Sequence, residues 1–282
     1  MIHSKGKPLL WLGVLVLLLA PLTLQATPAA ADGWVIECVD CPKYFTDMTD
    51  RSLRLDAEEF PHIAYGGDHL YYAWHDGVSW HYETVDDSPG VGRYASLALD
   101  GDGYPHISYY DDTNGDLKYA YQDASGWHIE TVAAELRHFG INTSLGLDRE
   151  GYPHISYLDW DNDDLMYAYQ DASGWHIQTV DSLRYVGWYN ITSTSLVLDG
   201  DGYPHISYFP PYYYSNSLQY AYQNASGWHI KTVDSEGDVG EYSSLALDGS
   251  GYPHISYRDE SNRDLKYAYY PYHVYLPIML KE

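Results

Sequence analysis

The sequence is poor in basic residues and in long apolar runs. It has 15 Lys and Arg against 40 Asp and Glu, for a formal net charge of −25. A surface this acidic repels phosphate groups, which argues against nucleic acid and anionic membranes as partners. The apolar run from Leu9 to Ala20 is shorter than the roughly 20 residues that span a bilayer, and no later run is as long.

The same apolar run has the surroundings of a secretory signal. Lys5 and Lys7 precede it, and the small residues Ala29 to Ala31 follow it. A basic start, an apolar centre and an A-x-A end are typical of a signal peptide. We therefore expect residues 1–31 to be removed and the protein to be secreted, with no membrane span after signal removal.

Cysteine is nearly absent. The two cysteines, Cys38 and Cys41, lie in the stretch ECVDC. Two ligands cannot form a structural zinc site, and no thioredoxin-like helical pattern follows them. Export favours a local disulfide, so we expect a structural clip rather than a redox catalyst.

Phenylalanine is also scarce, with 4 residues, whereas tyrosine reaches 32. Tyrosine favours strands and offers an apolar face with a polar tip. Many of the tyrosines belong to a repeat, because GYPHISY occurs unchanged at 103–109, 151–157, 202–208 and 251–257. Each copy follows an S-L-x-L-D segment and precedes a segment such as LKYAYQD and then one such as WHIETV.

Each repeat therefore contains four short strand patterns separated by turn residues, and no helical periodicity is present after the signal. Four strands repeated about every 50 residues predict an all-β fold, a β-propeller of four-stranded blades. The last repeat lacks its tryptophan segment, and Gly33–Asp40 matches the missing segment. The prediction is a five-bladed β-propeller over 32–270, with the ring closed by an N-terminal strand completing the last blade. Residues 271–282 are left as a C-terminal tail.

The connections between the predicted strands are of two kinds. The turns after the first and third strands, such as DGDGY at 100–104 and QDASGW at 122–127, are nearly uniform. The former predict hairpins rather than calcium loops, because the further oxygen ligands and the terminal Glu of an EF-hand are missing. The other two sets of connections vary, and antiparallel strands bring both to the same end of the blade. Function is expected on these varied loops.

The repeated histidine is interpreted as structural, because a catalytic centre needs different residues from different blades. We expect Asp100, His106, Ser108 and Trp127 to form one buried hydrogen-bond network, repeated in the other blades. The structural repeat positions are His62, His106, His154, His205, His254, Trp34, Trp80, Trp127, Trp175 and Trp228. Repeated ligand pockets and catalysis remain alternatives for the histidines.

Aromatic residues on the varied loops suit a carbohydrate, because sugar C–H faces stack on rings while the hydroxyls bond to carboxylates and amides. The ligand-binding candidates are Asp159, Trp160, Asp161, Asn162, Arg184, Tyr185, Trp188, Tyr189, Tyr212, Tyr213, Tyr214 and Arg258. A Ca²⁺ ion held by Asp159, Asp161 and Asp163 is an alternative to a solvated turn. No cofactor, metal site or catalytic residue is otherwise predicted.

The repeat SLALD-x-x-G-x-PHISYYD, followed by LKYA and GW-x-x-E-x-V, resembles secreted bacterial β-propeller proteins of the sialidase-like or fucose-lectin-like kind. The resemblance covers about residues 33–270 and implies a lectin-like module that binds an extracellular glycan or a surface protein. It leaves open a sialidase-like glycoside hydrolase or a polysaccharide lyase. Unmatched residues available for a lyase are His69, Trp74, His75, Arg93, Arg137, His138, Arg184 and Arg258.

Overall fold

The β-branched and aromatic segments form the strands of five antiparallel sheets, as a computed structural model of the protein shows. The structure describes residues 35–49, 51–134, 139–159, 161–162, 164–182, 193–210 and 217–270. Within these residues no helix has the length and apolar character needed to cross a membrane. Because each strand hydrogen-bonds to its sequence neighbour, every sheet is a simple meander.

The first two sheets are complete four-stranded units. Sheet 1 contains β1 (Leu53–Leu55), β2 (Pro61–Gly66), β3 (Leu70–His75) and β4 (Trp80–Asp86). Sheet 2 contains β5 (Val91–Leu99), β6 (Pro105–Asp111), β7 (Asp116–Asp123) and β8 (Gly126–Ala133).

The remaining sheets repeat the same order. Sheet 3 contains β9 (Phe139–Leu147), β10 (Pro153–Asp159), β11 (Asp164–Asp171) and β12 (Gly174–Ser182). Sheet 4 contains β13 (Thr194–Leu198), β14 (Pro204–Tyr208), β15 (Leu218–Asn224) and β16 (Gly227–Asp234). Sheet 5 has three described strands, β17 (Val239–Leu247), β18 (Pro253–Asp259) and β19 (Asp264–Tyr269).

Burial along a strand follows its place in the sheet. All seven residues of β6 are buried, because both faces of this second strand are covered by neighbouring sheets. In the outer strand β8, buried and exposed positions are mixed. Separate clusters of buried side chains join sheets 1 and 2, 2 and 3, 3 and 4, and 4 and 5. The core is thus distributed between consecutive sheets.

The DGDGY turns are hairpins, as predicted. β5 pairs with β6 in antiparallel register from Leu99 opposite Pro105. Asp100 closes the turn, because its carboxylate accepts hydrogen bonds from the backbone N–H groups of Asp102 and Tyr104 at 2.9 and 2.8 Å. Gly103 has φ +85°, which a side chain would strain.

Serines of the S-L-x-L-D segments join the first strands of successive sheets. The Ser96 hydroxyl accepts the N–H of Leu145 at 3.0 Å, and Ser144 accepts that of Leu196 at 3.0 Å. Ser195 accepts the N–H of Leu245 at 3.1 Å. These contacts explain why the serine recurs in sheets 2, 3 and 4.

The prediction of five repeated sheets is confirmed, whereas the pairing of Trp34–Val39 with β19 remains a prediction. The chain divides into two units, and the strands of the described residues belong to the second, which begins at Val39. The described part of the first unit, Val35–Cys38, has no strand. Cys38 and Cys41 are both disulfide-bonded. Trp34, the signal segment 1–31 and the tail 271–282 lie outside the described residues.

Candidate functional site

The repeated histidine forms an Asp–His–Tyr set within each sheet. In sheet 4, Nε2 of His205 lies 3.4 Å from a carboxylate oxygen of Asp199, and Nδ1 contacts the hydroxyl of Tyr220. A carboxylate only accepts, so Nε2 carries the proton and Nδ1 accepts from the tyrosine. The other sets are Asp56–His62–Tyr72, Asp100–His106–Tyr119, Asp148–His154–Tyr167 and Asp248–His254–Tyr267.

Burial favours the neutral form of three of these histidines. Burial lowers the pKa of His106, His154 and His205 below the usual value. Both ring nitrogens of each histidine already have partners within the sheet. The arrangement satisfies buried polar atoms and leaves no ring nitrogen of these three side chains for substrate chemistry.

The residues that the sequence predicted to form one hydrogen-bond network make separate contacts in the structure. His106 bonds within its own sheet, whereas the Ser108 hydroxyl lies 2.8 Å from that of Thr143 in sheet 3. The Trp127 indole N–H donates to Glu83 of sheet 1 at 2.8 Å. Serine and tryptophan therefore connect sheets, and only histidine and aspartate act together within one.

The tryptophans fill the spaces between sheets. Trp127, Trp175 and Trp228 each lie edge-on to a tyrosine of the preceding sheet, with ring centroids 5.3–5.6 Å apart. Trp175 donates to Glu130 at 2.7 Å, and Trp228 donates to Gln178 at 2.9 Å. Trp80 lies at the start of β4, and its ring is 5.4 Å from that of His75.

Ser, His and Asp also meet at exposed hairpins, but not as a catalytic triad. In sheet 2, the Ser125 hydroxyl donates to Asp123 at 2.6 Å and lies 3.0 Å from Nε2 of His128. Asp123 contacts the same Nε2 at 3.1 Å. A triad needs the carboxylate and the nucleophile on opposite ring nitrogens. The set instead closes the turn, and the Ser125 hydrogen bonds lower the pKa of Asp123 to about 2.

Two cavities lie between sheets, at the end where the uniform turns meet, which we call the turn end. The cavity between sheets 3 and 4 has a volume of about 320 Å³. Its lining consists of His154, Tyr167, Tyr169, Gln178, Asp201, Gly202, Tyr203, Pro204 and Gln223. Aromatic rings, two amides and a carboxylate thus surround a space of monosaccharide size.

Gln178 distinguishes the hydrogen-bonding groups of this cavity from those at the matched positions of sheets 1 and 2. The equivalent residues at the preceding interfaces are Glu83 and Glu130, whose carboxylates accept the tryptophan N–H. The Gln178 carbonyl also accepts such a bond, from Trp228, while the amide retains its NH₂ group. A neutral donor therefore lines this cavity, whereas the matched Glu83 and Glu130 of sheets 1 and 2 are acceptors alone.

The cavity between sheets 4 and 5 is larger, at about 500 Å³, and more aromatic. Tyr220, Tyr222, Tyr252, Tyr269 and Tyr270 are among its lining residues, together with Lys231. Lys231 occupies the position of Glu83, Glu130 and Gln178 in sheet 4, so an indole N–H acceptor is replaced there by a cation. Its ammonium lies 5.2 Å from the Tyr222 ring centroid.

The opposite end, where the varied loops emerge, we call the loop end. There Asp159 is buried, and its carboxylate accepts bonds from the backbone N–H of Asp161 and from the Asn162 amide at 3.0 and 2.6 Å. Three candidate residues thus build one turn, in which Asp161 is exposed. Asp111 with Asn114, and Asp259 with Asn262, form the same turn in sheets 2 and 5.

Arg258, another candidate, is half-exposed and pairs with Glu241 at 3.2 Å and with Glu260. Arg93 similarly pairs with Asp47 and Asp112. The candidates Trp160, Arg184, Tyr185, Trp188, Tyr189, Tyr212, Tyr213 and Tyr214 lie outside the described residues, as does Asp163 of the calcium alternative. No cluster of three or more His, Cys, Asp or Glu side chains suited to a metal occurs among the residues that are described.

Sequence reasoning missed the turn-end cavities. It assigned function to the varied loops and treated the turn end as a scaffold. The available signal was the position before T-V in the fourth strand, where Glu83 and Glu130 become Gln178 and Lys231.

Comparison with known proteins supports the fold. No protein-family model and no curated protein matches the sequence. A variant of AofleA from Arthrobotrys oligospora is similar in structure, with a TM-score of 0.55 and 13% identity over 80% of this chain and 70% of that one.

Two further structures are similar at the same level. The SapL1 lectin, solved with alpha methyl fucoside, gives a TM-score of 0.54 at 13% identity over 75% of this chain and 73% of its own. A Dyadobacter fermentans protein of unknown function gives 0.52 at 11% identity over 73% and 70%. At these identities the similarity shows a propeller-like fold alone.

Proposed function

We propose that this protein is a secreted, non-catalytic carbohydrate-binding module. The cavity between sheets 3 and 4 is the observation that carries the proposal. Tyr203 offers a ring surface, and Gln178, Asp201 and Gln223 offer donors and acceptors. The Tyr169 ring, which also lines the cavity, is stacked on His154 and His176. Rings flanked by such groups suit the apolar C–H face and the hydroxyls of a sugar.

The structural neighbours support the same class. SapL1 is described as a lectin in complex with alpha methyl fucoside. A site within one sheet interface is expected to bind a monosaccharide weakly, and useful affinity for a surface glycan then requires several sites acting together. The varied loops are the second proposed contact, through Trp160 and Tyr212 to Tyr214.

A glycan array probed with the purified protein tests this function. We expect binding to a subset of glycans, with every bound glycan recovered unchanged in mass. Absence of binding across the array would contradict carbohydrate recognition. Cleavage of a bound glycan would instead support the hydrolase or lyase alternative.

We also propose that Trp34–Val39 supplies the fourth strand of sheet 5 and closes the ring. Val39 packs against a cluster of Tyr65, Tyr71 and Ala73 in sheet 1, and Asp40 accepts the Tyr65 hydroxyl at 2.7 Å. Val85 and Asp86, which end the fourth strand of sheet 1, have the equivalent contacts with sheet 2. Residues 39–40 therefore have the contacts expected of a fourth strand from a preceding blade.

The edge of sheet 5 supports this closure. Leu265 and Tyr267 of β19 are 85% and 59% exposed, whereas the equivalent Leu117 and Tyr119 of β7 are 0% and 1% exposed. An uncovered apolar edge strand is a hazard that native proteins avoid. The 500 Å³ cavity between sheets 4 and 5 lies where a tryptophan fills the three preceding interfaces. Trp34 is the residue that the repeat assigns to that space.

A further inference from the structure

At the loop end, a tyrosine hydroxyl and an aspartate join each sheet to the preceding fourth strand. Tyr109 donates to Asp86 at 2.7 Å, Tyr208 to Asp181 at 2.7 Å and Tyr257 to Asp234 at 2.8 Å. Tyr65 and Asp40 form the equivalent pair at sheet 1. Each aspartate follows a valine, in the motif T-V-D or its equivalent C-V-D.

The interface between sheets 2 and 3 lacks this pair. Ala133 replaces the aspartate after Val132, and the hydroxyl of Tyr157 has no hydrogen-bond partner among the described residues although Tyr157 is 0% exposed. Met166 occupies the position at which Lys118 and Lys266 pair with the aspartates of their interfaces. A buried hydroxyl without a partner is costly, so its retention here requires an explanation.

The surroundings of this hydroxyl are apolar. Ala133 and Met166 pack against the cluster that contains Tyr157, Leu117 and Val132. Ala133 and Met166 are only partly buried at the edge of this cluster.

A second buried hydroxyl without a partner, that of Tyr110, belongs to the same interface. Tyr110 lies two residues after Ser108, which bonds to Thr143 of sheet 3, so both side chains point to that sheet. Tyr110 is replaced by Leu158 in sheet 3 and by Phe209 in sheet 4. The interface between sheets 2 and 3 thus carries two buried hydroxyls without a partner among the described residues, and that of Tyr157 lies where the other interfaces have a tyrosine–aspartate pair.

We propose that the loop end of the interface between sheets 2 and 3 binds the acetamido group of an N-acetylated sugar. The acetyl group has the shape of the carboxylate that Ala133 lacks, and its carbonyl oxygen accepts the Tyr157 hydroxyl. Its methyl group contacts Ala133 and Met166. Because Met166 replaces the lysine, a neutral group fits this position better than a carboxylate, whose buried charge would have no counterion.

This inference rests on the proposed carbohydrate-binding function and adds a second site and a ligand class to it. The test uses N-acetyl-D-glucosamine as the probe, with D-glucose and D-glucosamine as controls that lack the acetyl group. Saturation-transfer NMR on the full-length protein is expected to detect the acetyl methyl of the probe and to detect neither control at this site. Tyr157→Phe and Ala133→Asp are each expected to weaken binding of the probe at least tenfold.

A matched pair of variants separates binding from folding. Tyr157→Phe removes a hydroxyl without a partner, so the melting temperature should not fall. Tyr208→Phe leaves Asp181 without its donor, so the melting temperature should fall. Equal binding of the probe by wild type and Tyr157→Phe would overturn the inference, and so would an equal loss of stability in both tyrosine variants.

Failure of this inference is distinguishable from failure of the proposed function. If array glycans without an acetamido group bind and N-acetyl-D-glucosamine does not, the acetamido site is wrong and carbohydrate recognition stands. If no glycan binds, both are wrong.

Discussion

Polar side chains form different contacts at the two ends of the sheets: within one sheet at the turn end, and between two sheets at the loop end. At the turn end, carboxylates and histidines recur in each repeat and their contacts are closed within one sheet, as in Asp199–His205–Tyr220. At the loop end, a tyrosine–aspartate pair such as Tyr109–Asp86 connects two sheets, and where Ala133 replaces the aspartate Tyr157 has no partner among the described residues. A repeated polar set therefore indicates structure, and a departure from the repeat marks the place to look for a ligand.

The largest loss of stability is expected when a tryptophan that fills the space between two sheets is removed. Trp175→Ala removes the indole that packs on Tyr119 and leaves Glu130 with the longer hydrogen bond from the Gln170 amide, at 3.4 Å, in place of the indole N–H at 2.7 Å. Large-to-small changes of this kind cost about 3–5 kcal/mol, so a substantial drop in the free energy of unfolding is expected in urea denaturation. Trp175→Phe is the control and should lose less. A loss of less than about 1 kcal/mol for the alanine variant would contradict the packing role.

Two histidines of one aromatic stack provide the next comparison. His106 is buried, and His128 is half-exposed and stacks on the other side of Tyr121. His106→Ala should cost about 1–3 kcal/mol, because Tyr119 is left without a partner in a buried position. His128→Ala should leave stability nearly unchanged. Lost glycan binding by His106→Ala with an unchanged melting temperature would show that the repeated histidine acts in function instead.

The buried histidines also predict acid sensitivity. Their folded-state pKa is lower than the unfolded value, so the unfolded chain binds more protons below about pH 6.5 and stability falls as pH falls. The Asp86 carboxylate affects stability only at lower pH. Burial alone would raise its pKa, but hydrogen bonds from Ser88, Tyr109 and Lys118 lower it to about 2.

We therefore expect the melting temperature to decline from pH 7 to pH 5, before the carboxylates titrate. His106→Gln should flatten this decline relative to wild type. A melting temperature that is constant or rises over this interval would exclude the neutral buried histidines as its cause.

The smallest change in stability is expected for a variant that tests ring closure. Lys231→Gln restores the acceptor that Gln178 offers to Trp228 at 2.9 Å. If Trp34 fills the adjacent cavity, this variant should gain about 0.5–1 kcal/mol from one new hydrogen bond. In a Trp34→Phe background the gain should vanish, because phenylalanine has no N–H. The same gain in both backgrounds would remove Trp34 from this interface.

The sequence was sufficient to predict the strands and hairpins of each sheet but not the contacts between sheets. The alternation in PHISY and the DGDGY turn are local features, and they predicted β6 and its hairpin with β5 correctly. The partner of His106 could have been inferred, since a tyrosine recurs at the position of Tyr119 in every third strand. Its contact with histidine depends on strand register, which the motif alone does not state.

The cavities depend on packing between sheets. Gln178, Lys231 and Ala133 are visible in the sequence as departures from a repeat, but their consequences follow from what faces them in the next sheet. Asp159 illustrates the converse, because a candidate ligand contact is already used to close its own turn. The aromatic loop candidates, Trp160 and Tyr212 to Tyr214, remain predictions.

The proposal that a sugar binds between sheets 3 and 4 through the Gln178 amide is tested by the variant Gln178→Glu. Glutamate at this position accepts a tryptophan N–H in two other sheets, so the variant should fold as wild type and lose only the NH₂ donor. Isothermal titration with the tightest-binding glycan of the array should give a dissociation constant about tenfold higher for the variant, a loss of about 1.4 kcal/mol. Equal affinity in wild type and variant, with equal melting temperatures, would contradict the claim.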